Sequence, residues 1–128
     1  MKRLALAVVV ALVSVYATYP PLQILTKGAD FAAQGKFEEA KEEFEKALNA
    51  SPFLGTARDS LTIIDDLTQR KIERKSAIHL FKGAIHVLKE QWDEGITQYN
   101  RVLELNPRYA IAYRTRGFAY CCKGKYSF

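Results

Sequence analysis

One spacing constrains this chain more than any other feature: a glycine-centred pattern returns along its length at a fixed interval. K-G-A-D-F-A-A-Q-G-K-F-E-E at 27–39 aligns without gaps on R-G-F-A-Y-C-C-K-G-K-Y-S-F at 116–128. Gly28 then matches Gly117, Phe31 matches Tyr120, Gly35 matches Gly124, Lys36 matches Lys125 and Phe37 matches Tyr126. A further copy opens at Lys82-Gly83 and runs through Trp92. Gly83 and Gly117 stand at i and i+34; Gly28 and Gly83 stand at i and i+55, one such period with an insertion. Self-similarity at this period marks an array of small supersecondary units that bury their apolar faces on one another.

The residues inside each unit read as a pair of helices. Ala40, Phe44 and Ala47 stand at i, i+4 and i+7, one helical stripe, and Leu48 beside Phe44 widens it. Glu38 and Glu39 fall where a helix N-terminus favours negative charge. Ser51-Pro52 and Asn106-Pro107 end the second helix of each pair, because proline disfavours helix at the residue before it. The glycines let two helices approach closely, with no Cβ between them.

This pattern resembles the tetratricopeptide (TPR) repeat, whose units are two antiparallel helices carrying W-x2-L-G-x2-Y, then A-x3-F, then P. In the first copy Gly28 and Phe31, Ala40 and Phe44, and Pro52 match, with Ile24 and Lys27 in place of Trp and Leu. In the second, Gly83 and His86 stand at the first step, His79 at the Trp position, Gly95 and Tyr99 at the second step, and Pro107 closes. In the third, Tyr113, Gly117 and Tyr120 match. The resemblance implies an all-α fold of TPR-like stacked helical hairpins, an α-solenoid fragment. Its units are a repeat at 21–54, a repeat at 76–109 and a partial repeat at 110–128, within a TPR-like domain at 18–128.

Residues 55–75 interrupt the period. Leu54, Ala57, Leu61, Ile64 and Leu67 recur at helical spacing, so the segment is an inserted or extended helix between the first two repeats. No Gly or Pro occurs between Thr56 and Lys82. That predicts one long or gently bent helix through 55–89, with a separate helix and a turn near 70–75 as the alternative.

The N-terminus has a different character. Met1-Lys2-Arg3 is followed by an uncharged apolar run from Leu4 to Val15, then by Val15-Tyr16-Ala17 and Pro20-Pro21. This is the pattern of a secretory signal, read as residues 1–17 with cleavage after Ala17. The alternatives are a membrane anchor through 4–17 and a buried core helix. The chain is therefore expected to be exported, to a periplasm or secretory pathway, or membrane-anchored. Its net charge is +5, and loss of Lys2 and Arg3 leaves +3, which is no nucleic-acid footprint by itself. The charge is uneven: 107–128 carries five basic residues and no acid, and 38–45 carries five glutamates against Lys41.

Catalytic and metal chemistry find little to build on. His79 and His86, the only histidines, are two turns apart on one helix face and lack the i, i+4 arrangement of a metalloprotease. They read as packing residues. Cys121 and Cys122, the only cysteines, align with Ala32 and Ala33, so small size explains both. Helical neighbours cannot offer disulfide geometry to one another. Asp65-Asp66 and the 38–45 glutamates read as solvated helix faces. The expectation is no enzyme, no cofactor and no metal.

The resemblance implies a protein–protein interaction scaffold with a groove lined by the first helix of each pair. Carried over by position, the groove candidates are Leu25, Leu80, Ala84, Val87, Arg114, Phe118 and Cys121. Leu25, Leu80 and Ala84 replace the polar residues with which some TPR proteins hold an acidic chain terminus. The groove is thus apolar with a basic end at Arg114, suited to a peptide or partner helix, unless the 55–75 helix covers it. Tyr120, Tyr126 and Phe128 are candidates for self-association, making the C-terminal end a homodimer contact or the stump of a longer array. The alternative function is a structural subunit of an envelope or membrane assembly that self-associates there.

Overall fold

The structure, a computed structural model, describes residues 19–126, with side chains described as far as residue 124. Six helices follow one another: α1 Pro20–Ala33, α2 Phe37–Ala50, α3 Gly55–Thr68, α4 Arg74–Leu88, α5 Trp92–Leu105 and α6 Ala110–Tyr126. Among the described residues there is no strand. α1 and α2 form one hairpin, α4 and α5 a second, and α6 packs on α5. The fold is all-α, a stack of TPR-like helical hairpins. The expected segments at 1–17, and Phe128, lie outside the described residues, as does the side chain of Tyr126.

Local sequence accounts for the boundaries. Pro20 and Pro21 occupy the first positions of α1, where a missing N–H costs nothing. α2 and α5 begin with Glu38-Glu39 and Asp93-Glu94, favourable charges at the positive end of a helix dipole. α1 ends on Gly35 at φ 81°. The Gly35 N–H reaches the Ala32 carbonyl at 3.0 Å and the Lys36 N–H reaches that of Phe31 at 2.9 Å, the paired bonds of a Schellman cap.

The same cap corrects the long-helix expectation for 55–89. α3 stops at Thr68, and Arg70 takes φ 59°. The Arg70 N–H bonds the Leu67 carbonyl at 3.1 Å and the Lys71 N–H bonds that of Asp66 at 2.8 Å. Glu90 at φ 61° ends α4 in the same way. Neither Arg70 nor Glu90 is a glycine, and that is why the absence of Gly and Pro was misleading. Satisfied carbonyls offset the left-handed backbone, and Ile72, buried just beyond the turn, anchors the reversal in the core.

One extra helix between two hairpins has a topological consequence. Helices joined by short turns alternate in direction, so an odd insertion reverses everything after it. The Arg74 guanidinium, at the start of α4, lies 5.2 Å from the ring centroid of Phe37, at the start of α2. Seven residues further along each helix, Phe44 and Phe81 stack with ring centroids 5.6 Å apart. Two contacts at one constant offset mean that α2 and α4 run in the same direction. α1 therefore runs antiparallel to α4, against which it packs. In an array of uninterrupted hairpins the first helices would run the same way.

The core lies where α1, α2 and α4 meet and continues through α5 to α6. Phe44, Phe81 and Val102 are its largest fully buried side chains, with alanines 32, 40, 47, 77, 112 and 119 allowing close approach. The two hairpin glycines are held by neighbouring rings. A Cβ on Gly28 would stand 2.6 Å from Phe44 Cε1, and one on Gly83 would stand 2.5 Å from Tyr99 Cε1. Real Cβ atoms do not come that close, so any other residue at either position would force the covering ring to shift.

Candidate functional site

The sequence places its groove candidates on the first helices of the hairpins, and the structure separates them into two groups. Leu25 and Leu80, 6% and 2% exposed, are core residues. Ala84 and Val87 are half-buried on α4, and Val87 Cγ2 lies 2.8 Å from where a Cβ on Gly95 of α5 would be. Arg114, Phe118 and Cys121 share the open side of α6. Reversal of the second hairpin gives the physical reason: the first helices α1 and α4 pack against each other instead of lining one surface.

α6 is two-sided. Ile111, Ala112 and Ala119 are buried, while Phe118 is 61% exposed, Tyr120 52% and Tyr113 46%. Arg114, Phe118 and Cys121 recur at i, i+4 and i+7 along this open side, with Gly117 and Gly124 among them. Apart from the adjoining residues and backbone of α6 itself, no described residue comes within 4 Å of the place where a Cβ would sit on Gly117 or on Gly124. Cys121 is exposed, unlike fully buried Ala32 at the matching position, so packing does not explain its small size.

The basic residues of this region are largely engaged within the chain. Arg114 Nη2 lies 2.9 Å from Asp59 Oδ1 on α3. Arg116 Nη1 donates to Asn100 Oδ1 at 2.9 Å and stacks over the Tyr113 ring at 5.2 Å. Lys123 Nζ donates to Asp93 Oδ1 at 2.6 Å, and this bond raises its pKa. Such pairing fixes α6 on α5 and α3 and reduces what is available for phosphate.

α3 reaches this region through two acids seven residues apart on one face. Asp59 takes Arg114, and Asp66 Oδ2 accepts the Tyr109 hydroxyl at 2.7 Å. Burial first, then the hydrogen bond and charge of Asp66, push the Tyr109 pKa far above the ordinary tyrosine value. The solvated reading of Asp65-Asp66 thus holds for exposed Asp65 and fails for half-buried Asp66. Glu43 departs in the same way from its neighbours in the 38–45 run: it is buried, with Lys46 Nζ at 3.2 Å and Lys27 Nζ at 3.8 Å. Sequence reasoning passed over Asp59 and Tyr109 and read Asp66 only as solvated. The i, i+7 spacing of the two aspartates was the available signal.

The histidines serve packing and hydrogen bonding. His79 Nδ1 lies 2.7 Å from Gln98 Oε1, and His86 Nδ1 lies 2.7 Å from Gln91 Oε1. Both residues are half-buried; the His79 contact is partly buried and the His86 contact is exposed. Among the described residues no cluster of three or more His, Cys, Asp or Glu side chains could hold a metal ion. Among them, too, no helix is long and apolar enough to cross a membrane.

Stacked antiparallel helical hairpins with glycine-on-aromatic contacts define a helical-repeat protein, a class that works by presenting surface. Residues 83–124, from mid-α4 through α6, match the family model described as TPR repeat, and the six-helix stack is consistent with such repeats. No curated protein matches the chain, and no solved structure does. Repeats of this family are in general protein–protein interaction scaffolds without catalytic activity.

Proposed function

We propose that this chain is a non-enzymatic scaffold, exported or held at a membrane through residues 4–17, which binds a peptide or helix of a partner protein. The binding surface is the apolar, basic-edged open side of α6: Arg114, Phe118 and Cys121, with Tyr120 beside them. One observation carries the reading: two large aromatic side chains on this helix lie more than half exposed within a repeat whose other first helices, α1 and α4, are packed into the core. An exposed apolar cluster of this kind is where a partner gains most from burial. Arg114, held by Asp59, supplies the charged rim. Leu25 and Leu80 act as support, because a ligand reaching them would have to open the core.

The test is affinity capture with tagged wild type and Phe118→Glu, both checked for helical content. Phe118→Glu is expected to lose the captured partner, and equal capture by both proteins would remove α6 as the site. Fractionation with and without residues 1–17 tests location: export or membrane retention must depend on them. A second reading, a structural subunit that self-associates at this end, draws on the same exposure of Tyr120. Sedimentation at rising concentration tests it, and a Tyr120→Glu chain should then remain monomeric.

A further inference from the structure

Two hollows adjoin at the end of the stack where α3 turns into α4 and α5 turns into α6. One, of about 520 Å3, runs past Arg70, Lys71 and Glu73; the other, of about 390 Å3, runs past Leu105, Pro107 and Arg108. Lys71 and Asn106 line both, so the two form one groove. Two side-chain hydrogen bonds tie its walls together. Asn106 Nδ2 donates to Ser76 Oγ of α4 at 2.7 Å, and the Tyr109 hydroxyl donates to Asp66 Oδ2 of α3 at 2.7 Å. Ser76 is fully buried, so the first tie is anchored in the core. A groove held in this way loses little freedom when it is filled.

Its charge is one-sided. The lining holds four basic residues, Arg70, Lys71, Arg74 and Arg108, against one acid, Glu73. Arg74 is occupied: its Nη2 donates to the Gly35 carbonyl at 3.0 Å and its guanidinium lies over the Phe37 ring. The other three differ from the paired basic residues of α6. The side chains of Arg70, Lys71 and Arg108 are exposed and make no hydrogen bond or ion pair with any described residue. α4 also begins here without a side-chain cap, and its N-terminus adds positive potential.

The rest of the lining narrows the occupant. Leu67 is half-buried, Leu105 is 40% exposed and Pro107 is exposed, so apolar surface lies beside the cations. Arg70 and Arg108 line different hollows with Lys71 common to both, which spreads the charge along the groove. Spread cations beside apolar surface suit an extended chain in which acids alternate with apolar side chains. Arg70 supplies a way to separate folding from binding. Its φ of 59° favours glycine, so the arginine is not the best residue there for the fold. Glu90 shares that backbone, so the conformation marks no site by itself.

We propose that this groove is a second binding site, which holds an extended acidic segment of a partner protein with apolar residues interspersed. It uses none of the α6 residues assigned above and stands or falls separately from them.

The probe is a short fluorescent peptide of alternating Glu and Leu, titrated with the whole protein and followed by anisotropy, beside the same peptide with Gln in place of Glu. Saturable binding of the acidic peptide alone is expected, weakening as salt rises. Lys71→Glu combined with Arg108→Glu should weaken it at least about tenfold. Arg70→Gly should weaken binding while raising the urea midpoint, opposite signs that a purely structural arginine would not give. Phe118→Glu should leave peptide binding unchanged, and circular dichroism checks the fold of each variant. Absence of saturable binding, equal binding of the Gln peptide, or binding indifferent to the double charge reversal overturns the proposal. So does tighter binding of a single-stranded RNA of the same charge, lost in the same double variant, which would assign the groove to nucleic acid. Peptide binding lost in Phe118→Glu and kept in the double variant would also overturn it and leave the α6 scaffold reading standing.

Discussion

Gly28 and Gly117 occupy the same place in their repeats and live in opposite surroundings. Over Gly28 lies the Phe44 ring, so close that an added Cβ would force it to shift. Over Gly117 no described residue beyond the adjoining part of α6 comes within 4 Å. The sequence signature is the same, and the difference arises in the succeeding element. After α1 the chain returns as a helix with an aromatic at i+16 from the glycine, and that helix is packed into the core on its inner face. A repeat motif therefore records a capacity for docking, and whether the capacity is used depends on the next element.

The largest effect in this comparison should come from emptying a filled slot. Phe44 is fully buried, covers Gly28 and stacks on Phe81, so it joins the first hairpin to the second. Phe44→Ala should cost about 3–5 kcal/mol in urea unfolding, the range for deleting a buried aromatic ring. Phe118→Ala, at an exposed aromatic on α6, should change stability by less than about 0.5 kcal/mol. Comparable losses would mean that the α6 face is covered.

A smaller effect belongs to the second filled slot and depends on pH. Burial raises the Tyr99 pKa far above the ordinary value, against a smaller opposing effect from Thr115. A raised folded pKa means that the native state keeps a proton that the unfolded chain releases. The stabilisation is then complete below about pH 10 and falls as pH rises beyond it, at up to roughly 1.4 kcal/mol per pH unit for the one group. Between about pH 9.5 and 11, wild type should lose more stability than Tyr99→Phe. Parallel pH profiles would show that Tyr99 is not buried over Gly83.

The attachment of α3 to α6 gives the next effect. Tyr109→Phe removes the hydrogen bond to Asp66 and should cost roughly 1 kcal/mol, less than a fully buried bond to a charged group because Tyr109 is only half-buried. Asp59→Asn, which breaks an exposed ion pair with Arg114, should cost about 0–1 kcal/mol and less at high salt. If this substitution strengthens partner capture, the α3 contact is competing for Arg114.

Much of the architecture was legible because glycine, proline and the helical stripe are local signals. The helical stripes and proline stops followed from spacing, and the hairpins and the packing of His79 and His86 from the resemblance that the spacing carried. The break after Thr68 was not legible, since Arg70 adopts a left-handed conformation usually supplied by glycine and owes it to cap hydrogen bonds and the burial of Ile72. The fate of Leu25 and Leu80 was hidden for a related reason. Their register on the helices was readable, but which face meets another helix depends on the direction of α4, set by the number of helices before it. Phe118 and Tyr120 were readable as a surface only because their repeat shows its first helix without a described cover.

The contrast between filled and open glycines is tested most directly by one pair of variants unfolded side by side, Gly28→Ala and Gly117→Ala. The first forces a methyl group into the Phe44 ring and should destabilise the protein by about 1–3 kcal/mol. The second adds helix propensity in open space and should stabilise it by roughly 0.5–1 kcal/mol. Opposite signs are the predicted result; destabilisation by both would mean that Gly117 is already covered and would contradict an open docking face on α6.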